Sequence, residues 1–276
     1  MSETRDPAYI HGVEPVEQAR LAALNDLLNP AMLEVLAPGS GDRVLDAGSG
    51  LGQFTRAIAR RVGPAGRVVG VERSEAQLTA ARAAPDDPGS APVEFRLGDA
   101  AAPPLDEDEW GAFDLAHCRF VLEHAPAPER VVAALAGAVR PGGRVFLADD
   151  DHDLLRLWPE APGVERLWRA YIGVYRALGA DPFVGRRLTG LLHLAGCAPT
   201  RTAVVDFGAC AGDARFGPLV RNLAGILRGA RANIARLGLL DDEEIDRAMD
   251  DLHAWAGRPD AAIWYVVLCA EGRRPG

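Results

Sequence analysis

The residues of this 276-residue chain best suited to chemistry lie in the run Arg43-Val44-Leu45-Asp46-Ala47-Gly48-Ser49-Gly50-Leu51-Gly52-Gln53-Phe54. An apolar strand leads into an acid, and a glycine-spaced turn then opens a helix. Glycine lets backbone turn sharply and approach a ligand that a Cβ would obstruct, and the free N–H groups of the helix start face negative charge. The glycine spacing is Gly48-x-Gly50-x-Gly52, not the G-x-G-x-x-G of a dinucleotide fingerprint, and Asp46 stands two residues before the first glycine. A carboxylate there suits a cationic ligand. Glu72 follows Gly52 by 20 positions and ends the short apolar strand Arg67 to Glu72, where an acid can accept from both ribose hydroxyls. A third group carries acid–base chemistry: His117, Arg119, Glu123 and His124, then Asp149, Asp150, Asp151, His152 and Asp153. The acidic cluster admits three readings: a clamp for a cationic amine, an oxygen-ligand site for magnesium, or a solvated turn. No residue is assigned to a metal; His152, His124 and Asp150 are the catalytic candidates.

The elements that must position these groups alternate. Arg43 to Ala47 and Arg67 to Glu72 flank a helix, and Ser74-Glu75-Ala76-Gln77 has the pattern of a capping box that starts the next one. Val93 to Leu97 reads as a strand ending in Gly98-Asp99-Ala100, and Phe113 to Arg119 as another. Pro141, Gly142 and Gly143 form a helix-end loop into a fifth strand. Before the cradle, Glu14 to Leu28 keeps helical spacing and Asn29-Pro30 is expected to break it. Glu160 to Leu178 and Val184 to Ala195 read as helices, and Thr202 to Phe207 and Ile263 to Ala270 as strands. The roughly fifty residues between those strands exceed a structureless loop and should be helical, with Asp241-Asp242-Glu243-Glu244 as a cap.

In their order, these segments resemble the motifs of the class I S-adenosylmethionine-dependent methyltransferases over about residues 40 to 150. The resemblance implies an α/β, Rossmann-like, seven-stranded, mostly parallel sheet with helices on both faces, an N-terminal helical lid and helical cap insertions. It implies S-adenosyl-L-methionine as cofactor, held by Asp46, Gly48, Ser49, Gly50, Gln53, Glu72, Arg73, Asp99, Ala100 and Arg119, with Asp99 beside the adenine amino group. A leader folded over the cofactor would bring Tyr9, His11 and Gln18 toward its methionine end. The expected organisation is a lid over residues 1–38, a cofactor-binding core over 39–150, and 151–276 completing the sheet with substrate caps at about 155–180 and 213–257.

Composition narrows the alternatives. A net charge of −9 and pI of about 5.2 argue against a nucleic-acid partner. All 30 basic residues are arginine, which removes pyridoxal Schiff-base chemistry and the P-loop lysine. Cys118, Cys197, Cys210 and Cys269 share no metal or disulfide spacing. No apolar run reaches membrane-spanning length and the first residues are too polar for a secretory signal, so a cytoplasmic location is expected. The expected activity is methyl transfer to an oxygen or nitrogen of a small organic molecule of secondary-metabolite type, with a homodimer as a candidate assembly. A nicotinamide-dependent oxidoreductase shares the strand–glycine–helix plan but is opposed by Asp46 and the spacing. A non-catalytic adenosylmethionine-binding protein is the third reading.

Overall fold

Strands that read as unbroken apolar runs must be covered on both faces, and the first two strands meet that requirement. The structure, a computed structural model, describes residues 15–276, with side chains from residue 18. Helix α1 spans Pro15–Leu36, and β1 (Arg43–Ala47), α2 (Gln53–Val62), β2 (Arg67–Glu72), α3 (Glu75–Ala83) and β3 (Val93–Leu97) follow. Then come β4 (Phe113–Arg119), α4 (Pro128–Ala138), β5 (Val139–Asp149), β6 (Arg156–Trp158), α5 (Pro162–Ala177) and α6 (Leu188–Leu194). The remaining elements are β7 (Ala198–Asp206), β8 (Ala209–Cys210), α7 (Phe216–Arg236), α8 (Asp242–Ala256), β9 (Ala262–Trp264) and β10 (Val266–Arg273).

Seven strands form one sheet in the order β3-β2-β1-β4-β5-β10-β7, with β1 to β5 parallel and β10 antiparallel to β5. This is the expected mostly parallel sheet. Its order reverses between β1 and β4, and a ligand crevice forms beyond the strands' carboxyl ends at such a point. Leu45, Val69, Val71, Phe113, Leu135, Val145, Leu147, Leu188 and Leu192 build the core on the α4 and α6 side.

The chain divides into two compact units. One comprises residues 28–151, 183–205 and 267–276 and contains the sheet. The other takes residues 152–182 and 206–266 together with the part of α1 before residue 28. In this second unit α5, α7 and α8 pack on one another, burying Leu167, Tyr171, Leu223, Leu227, Met249 and Leu252 among others. The Asp241 cap is a complete capping box: Glu244 N–H donates to Asp241 Oδ1 at 2.8 Å, and Asp241 N–H donates to Glu244 Oε2 at 3.0 Å. The second unit also holds a three-stranded antiparallel sheet, β6-β9-β8, of which only β9 overlaps a predicted strand.

Four expectations need correction. Pro141, Gly142 and Gly143 do not form a loop after the helix: α4 ends at Ala138 and β5 runs through them, with an irregular register beside β4. Asn29-Pro30 does not end the first helix, because Leu28, Met32 and Leu36 bury one stripe beyond the break at 1%, 0% and 0% exposure. Exposed Pro30 removes one N–H, and packing outweighs that loss. The last turn of α1 has no basic residue of its own; Arg201 donates to Val35 O, and Arg144 donates to Leu36 O at 2.6 Å and Ala37 O at 3.0 Å. Both arginines also bond the buried carboxylate of Glu271 at 3.0 Å. The apolar run from Ile263 to Ala270 is two strands, not one: β9 pairs in the small sheet and β10 in the large one, with Tyr265 between them. The helix expected from Val184 shortens to α6, preceded by a tight 3₁₀ turn at Val184–Arg187. Tyr9 and His11 lie outside the described residues, and Gln18 is half-buried on α1.

Met32→Ala should lower stability by about 2 to 5 kcal/mol, the range for truncating a fully buried large side chain. Urea unfolding with an unchanged midpoint would contradict the docking of α1 beyond Pro30.

Candidate cofactor site

The site is built where β1 and β2 end. Gly48 and Gly52 have φ of 84° and 73°, in the left-handed region that favours glycine. A Cβ on Gly48 would collide with Val121 Cγ2, and one on Gly52 would meet the Phe95 ring, so both positions also need glycine for space. Gly48 and Ser49 donate their N–H groups to Val71 O at 2.7 and 3.0 Å, which seats the turn on β2. Glu72 then fastens it. Its Oε2 accepts from Gly50 N–H at 2.9 Å and its Oε1 from Ser74 N–H at 2.8 Å, so one buried carboxylate joins the loop after β1 to the loop after β2. Ser74 caps α3 through Gln77 N–H, half of the expected capping box.

Asp46 lies beneath this loop and is 3% exposed. Thr55 Oγ donates to Asp46 Oδ2 at 2.7 Å, tying β1 to the first turn of α2. His117 Nε2 lies 3.3 Å from Asp46 Oδ1, out of hydrogen-bond alignment. Sequence reading grouped His117 with residues at the end of strand four, but it sits inside β4, paired with Asp46 across β1 and fully buried. Phe54 and Phe146 pack against its ring at 5.2 and 6.3 Å. Burial lowers the His117 pKa to about 4, against the opposing pull of Asp46 and with help from Arg119.

The remaining expected residues divide. Gln53 opens α2 and is half-buried; Arg73 is exposed beside Glu72. Asp99 is exposed in a tight turn after β3, accepting from Ala101 N–H at 2.8 Å, with Ala100 against the core. Arg119 ends β4, its guanidinium 4.3 Å from the centre of the Phe54 ring and its Nη1 donating to Asn29 at 3.0 Å. His124 Nε2 lies 3.5 Å from Glu123 Oε1 in the 3₁₀ turn that follows. Asp149, fully buried at the end of β5, accepts from Val121 and Leu122 N–H and, through Oδ1, from Asp150 N–H. Burial, reinforced by the Glu123 charge, pushes its carboxyl well above the usual range. Asp151 forms a two-pronged pair with Arg186 at 2.5 and 2.6 Å, so it belongs to the scaffold rather than to a solvated turn.

His152 belongs to the second unit, whereas Asp150 belongs to the first. Its Nδ1 is 3.1 Å from Tyr265 Oη, its carbonyl accepts from Trp168 Nε1–H at 2.8 Å, and Trp168, Tyr171 and Tyr175 ring it at 5.0 to 5.4 Å. Sequence reading missed Thr55, Phe95, Val121, Asn29 and Tyr265. All five act through partners distant in the chain or, for Thr55, through a hydroxyl on a helix where periodicity carries no signal.

His117 makes the site acid-sensitive. Its folded pKa of about 4 lies below the ordinary 6.5, so below pH 6.5 the unfolded chain binds the extra proton first. Stability should therefore fall as pH drops from 6.5 toward 4, by up to about 3 kcal/mol, and His117→Leu should flatten that slope. Thermal melts with equal pH dependence in both proteins would refute the assignment.

Comparison with known proteins agrees with the geometry. The methyltransferase domain family model matches residues 45–147, which run from β1 through most of β5. The chain is 33% identical over 242 residues to an uncharacterized 37.1 kDa protein of transposon TN4556 from Streptomyces fradiae, covering 87% of this chain and 65% of that protein. It is 35% identical over 124 residues to a ubiquinone biosynthesis O-methyltransferase of Paracidovorax citrulli, covering 44% and 50%. The chain thus spans about half to two-thirds of these relatives. Among solved structures, phosphoethanolamine N-methyltransferase 2 of Haemonchus contortus with S-adenosyl-L-methionine matches with a TM-score of 0.53 at 18% identity, over 90% of this chain and 52% of that one. With a reversed-order parallel sheet, a left-handed glycine turn and an acid closing the second strand, residues 45–147 form a domain that matches the methyltransferase domain family.

Proposed function

We propose that the protein transfers the methyl group of S-adenosyl-L-methionine to an oxygen or nitrogen of a small organic molecule. The observation that carries this reading is the Glu72 carboxylate, which bonds Gly50 and Ser74 N–H with one lone pair on each oxygen and keeps the second pair of each for ribose hydroxyls. Glycine at 48 and 52 lets Val121 and the Phe95 ring pack directly against the loop backbone and fix its path. Bound adenosylmethionine would supply the sulfonium-activated methyl. Asp46, buried beneath the loop and hydrogen-bonded by Thr55, contributes negative charge toward a cationic ligand. Asp99 and Ala100 are assigned to the adenine end, Arg119 to the methionine end.

In-line methyl transfer asks mainly for alignment and exclusion of water. Where the acceptor is a phenol or quinol, His124 with Glu123 beside it takes the proton; Asp150 and His152 are the further acid–base candidates. Acceptor recognition is assigned to α5, α7 and α8 of the second unit and to the leader around Tyr9. The acidic balance supports a small acceptor and no nucleic acid. An oxygen acceptor is favoured by the O-methyltransferase of Paracidovorax citrulli among the relatives. Among the described residues no helix is long and apolar enough to cross a membrane, in keeping with action in the cytoplasm.

Glu72→Ala should weaken adenosylhomocysteine binding about tenfold or more, since hydrogen bonds to a charged group contribute about 1.5 to 3 kcal/mol. Calorimetric titration with unchanged affinity, or tight binding of a nicotinamide dinucleotide, would overturn the cofactor assignment. A panel of phenols and amines with labelled adenosylmethionine tests the transfer; binding without turnover on any acceptor would favour the non-catalytic reading. His124→Asn should cut kcat on a phenolic acceptor by about 10²-fold, the lower range for a general base, without changing cofactor affinity.

A further inference from the structure

We propose that Asn29 is a positioning residue that aims the Arg119 guanidinium at the carboxylate of the cofactor's methionine half. The inference rests on the cofactor reading above and adds the residue that orients the cation. The β1–β4 register pairs Asp46 with His117 and Ala47 with Cys118. Continued by one residue, it sets Arg119 opposite Gly48, where the glycine turn begins, on the face shared by Asp46 and His117.

The guanidinium is held on two sides. Phe54, in the first turn of α2, offers its ring face at 4.3 Å, and Asn29 Oδ1 of α1 accepts from Nη1 at 3.0 Å. A third constraint lies in the backbone. Phe120, the next residue, has φ of 55°, a left-handed conformation that a bulky side chain rarely adopts, and its N–H donates to Ala148 O at 3.1 Å. The chain keeps an unfavourable conformation immediately after the cation. Such outliers persist where the surroundings overdetermine them, often at ligand clamps.

The chemistry of the holding group matters as much as its position. Burial lowers the Arg119 pKa to about 10, so the group stays cationic at neutral pH although poorly solvated. An amide oxygen fixes a guanidinium without cancelling its charge, whereas an aspartate at 29 would form an internal pair and compete with an anionic ligand. The carboxylate is the anionic group that adenosylmethionine offers.

Two ligands separate this role from a merely structural one: adenosylhomocysteine, and S-adenosyl-3-thiopropylamine, which keeps the adenosine, sulfur and amine but has no carboxylate. Calorimetric titration of the wild type should give at least about tenfold tighter binding of the first, the size of one charged hydrogen bond. Asn29→Ala should lose about tenfold for adenosylhomocysteine and change S-adenosyl-3-thiopropylamine by less than about twofold, collapsing the difference. Asn29→Asp should collapse it too while leaving the melting temperature unchanged or higher. Equal weakening of both ligands by Asn29→Ala, or no weakening of either, would overturn the proposal and leave the cofactor reading intact. A wild type that binds neither ligand would sink both.

Discussion

One carboxylate accepting two backbone N–H groups holds the glycine loop in place. Glu72 closes β2, and through Gly50 and Ser74 it determines where the glycine loop and the start of α3 lie relative to each other. The contact needs room beneath it, and Gly70 provides that room: a Cβ there would stand 2.9 Å from Phe95 and 3.0 Å from Ser49 Cβ. The acid assigned to the ribose is thus also the anchor of the loop that would embrace the nucleoside. On the proposed reading, binding and scaffolding would fall to the same atoms, in a buried network whose members are worth more together than apart.

The other strand ends are linked in the same way. Val121 fills the space that a side chain at Gly48 would take, and Asp149 holds Val121 and Leu122 by their N–H groups. The turns after β1, β4 and β5 therefore form one connected surface, with Asp149 buried at its base. Cys118 in the neighbouring strand is also buried, and both burial and the nearby Asp149 push its thiol well above the ordinary range, so it is an inert core residue.

Much of this was legible from spacing. The strand–acid–glycine–helix order located β1, α2 and β2 closely, and the distance from Gly52 to Glu72 found the second acid, because a βαβ unit leaves little freedom in that interval. The capping box at Asp241 was readable for a similar reason: its signal lies within four residues. What escaped depended on contacts between distant segments. Pro30 looked like a helix end because local propensity opposes continuation, yet buried Leu28, Met32 and Leu36 decide the matter. Ile263 to Ala270 looked like one strand because an apolar run does not reveal which of two sheets each half joins. The burial of Asp46 beneath the loop beside Thr55 and His117 is likewise a property of packing that composition does not carry.

The arginines at the end of α1 connect residues made far apart in time during synthesis. Arg144 reaches Leu36 across 108 positions and Arg201 reaches Val35 across 166, and both wait on Glu271, 127 positions beyond Arg144. Helix α1, made before all of these residues, therefore acquires its terminal partners only after β10 has emerged. Contacts of such sequence separation are reached late, because the entropy of closing the loop is lost before the contacts reward it.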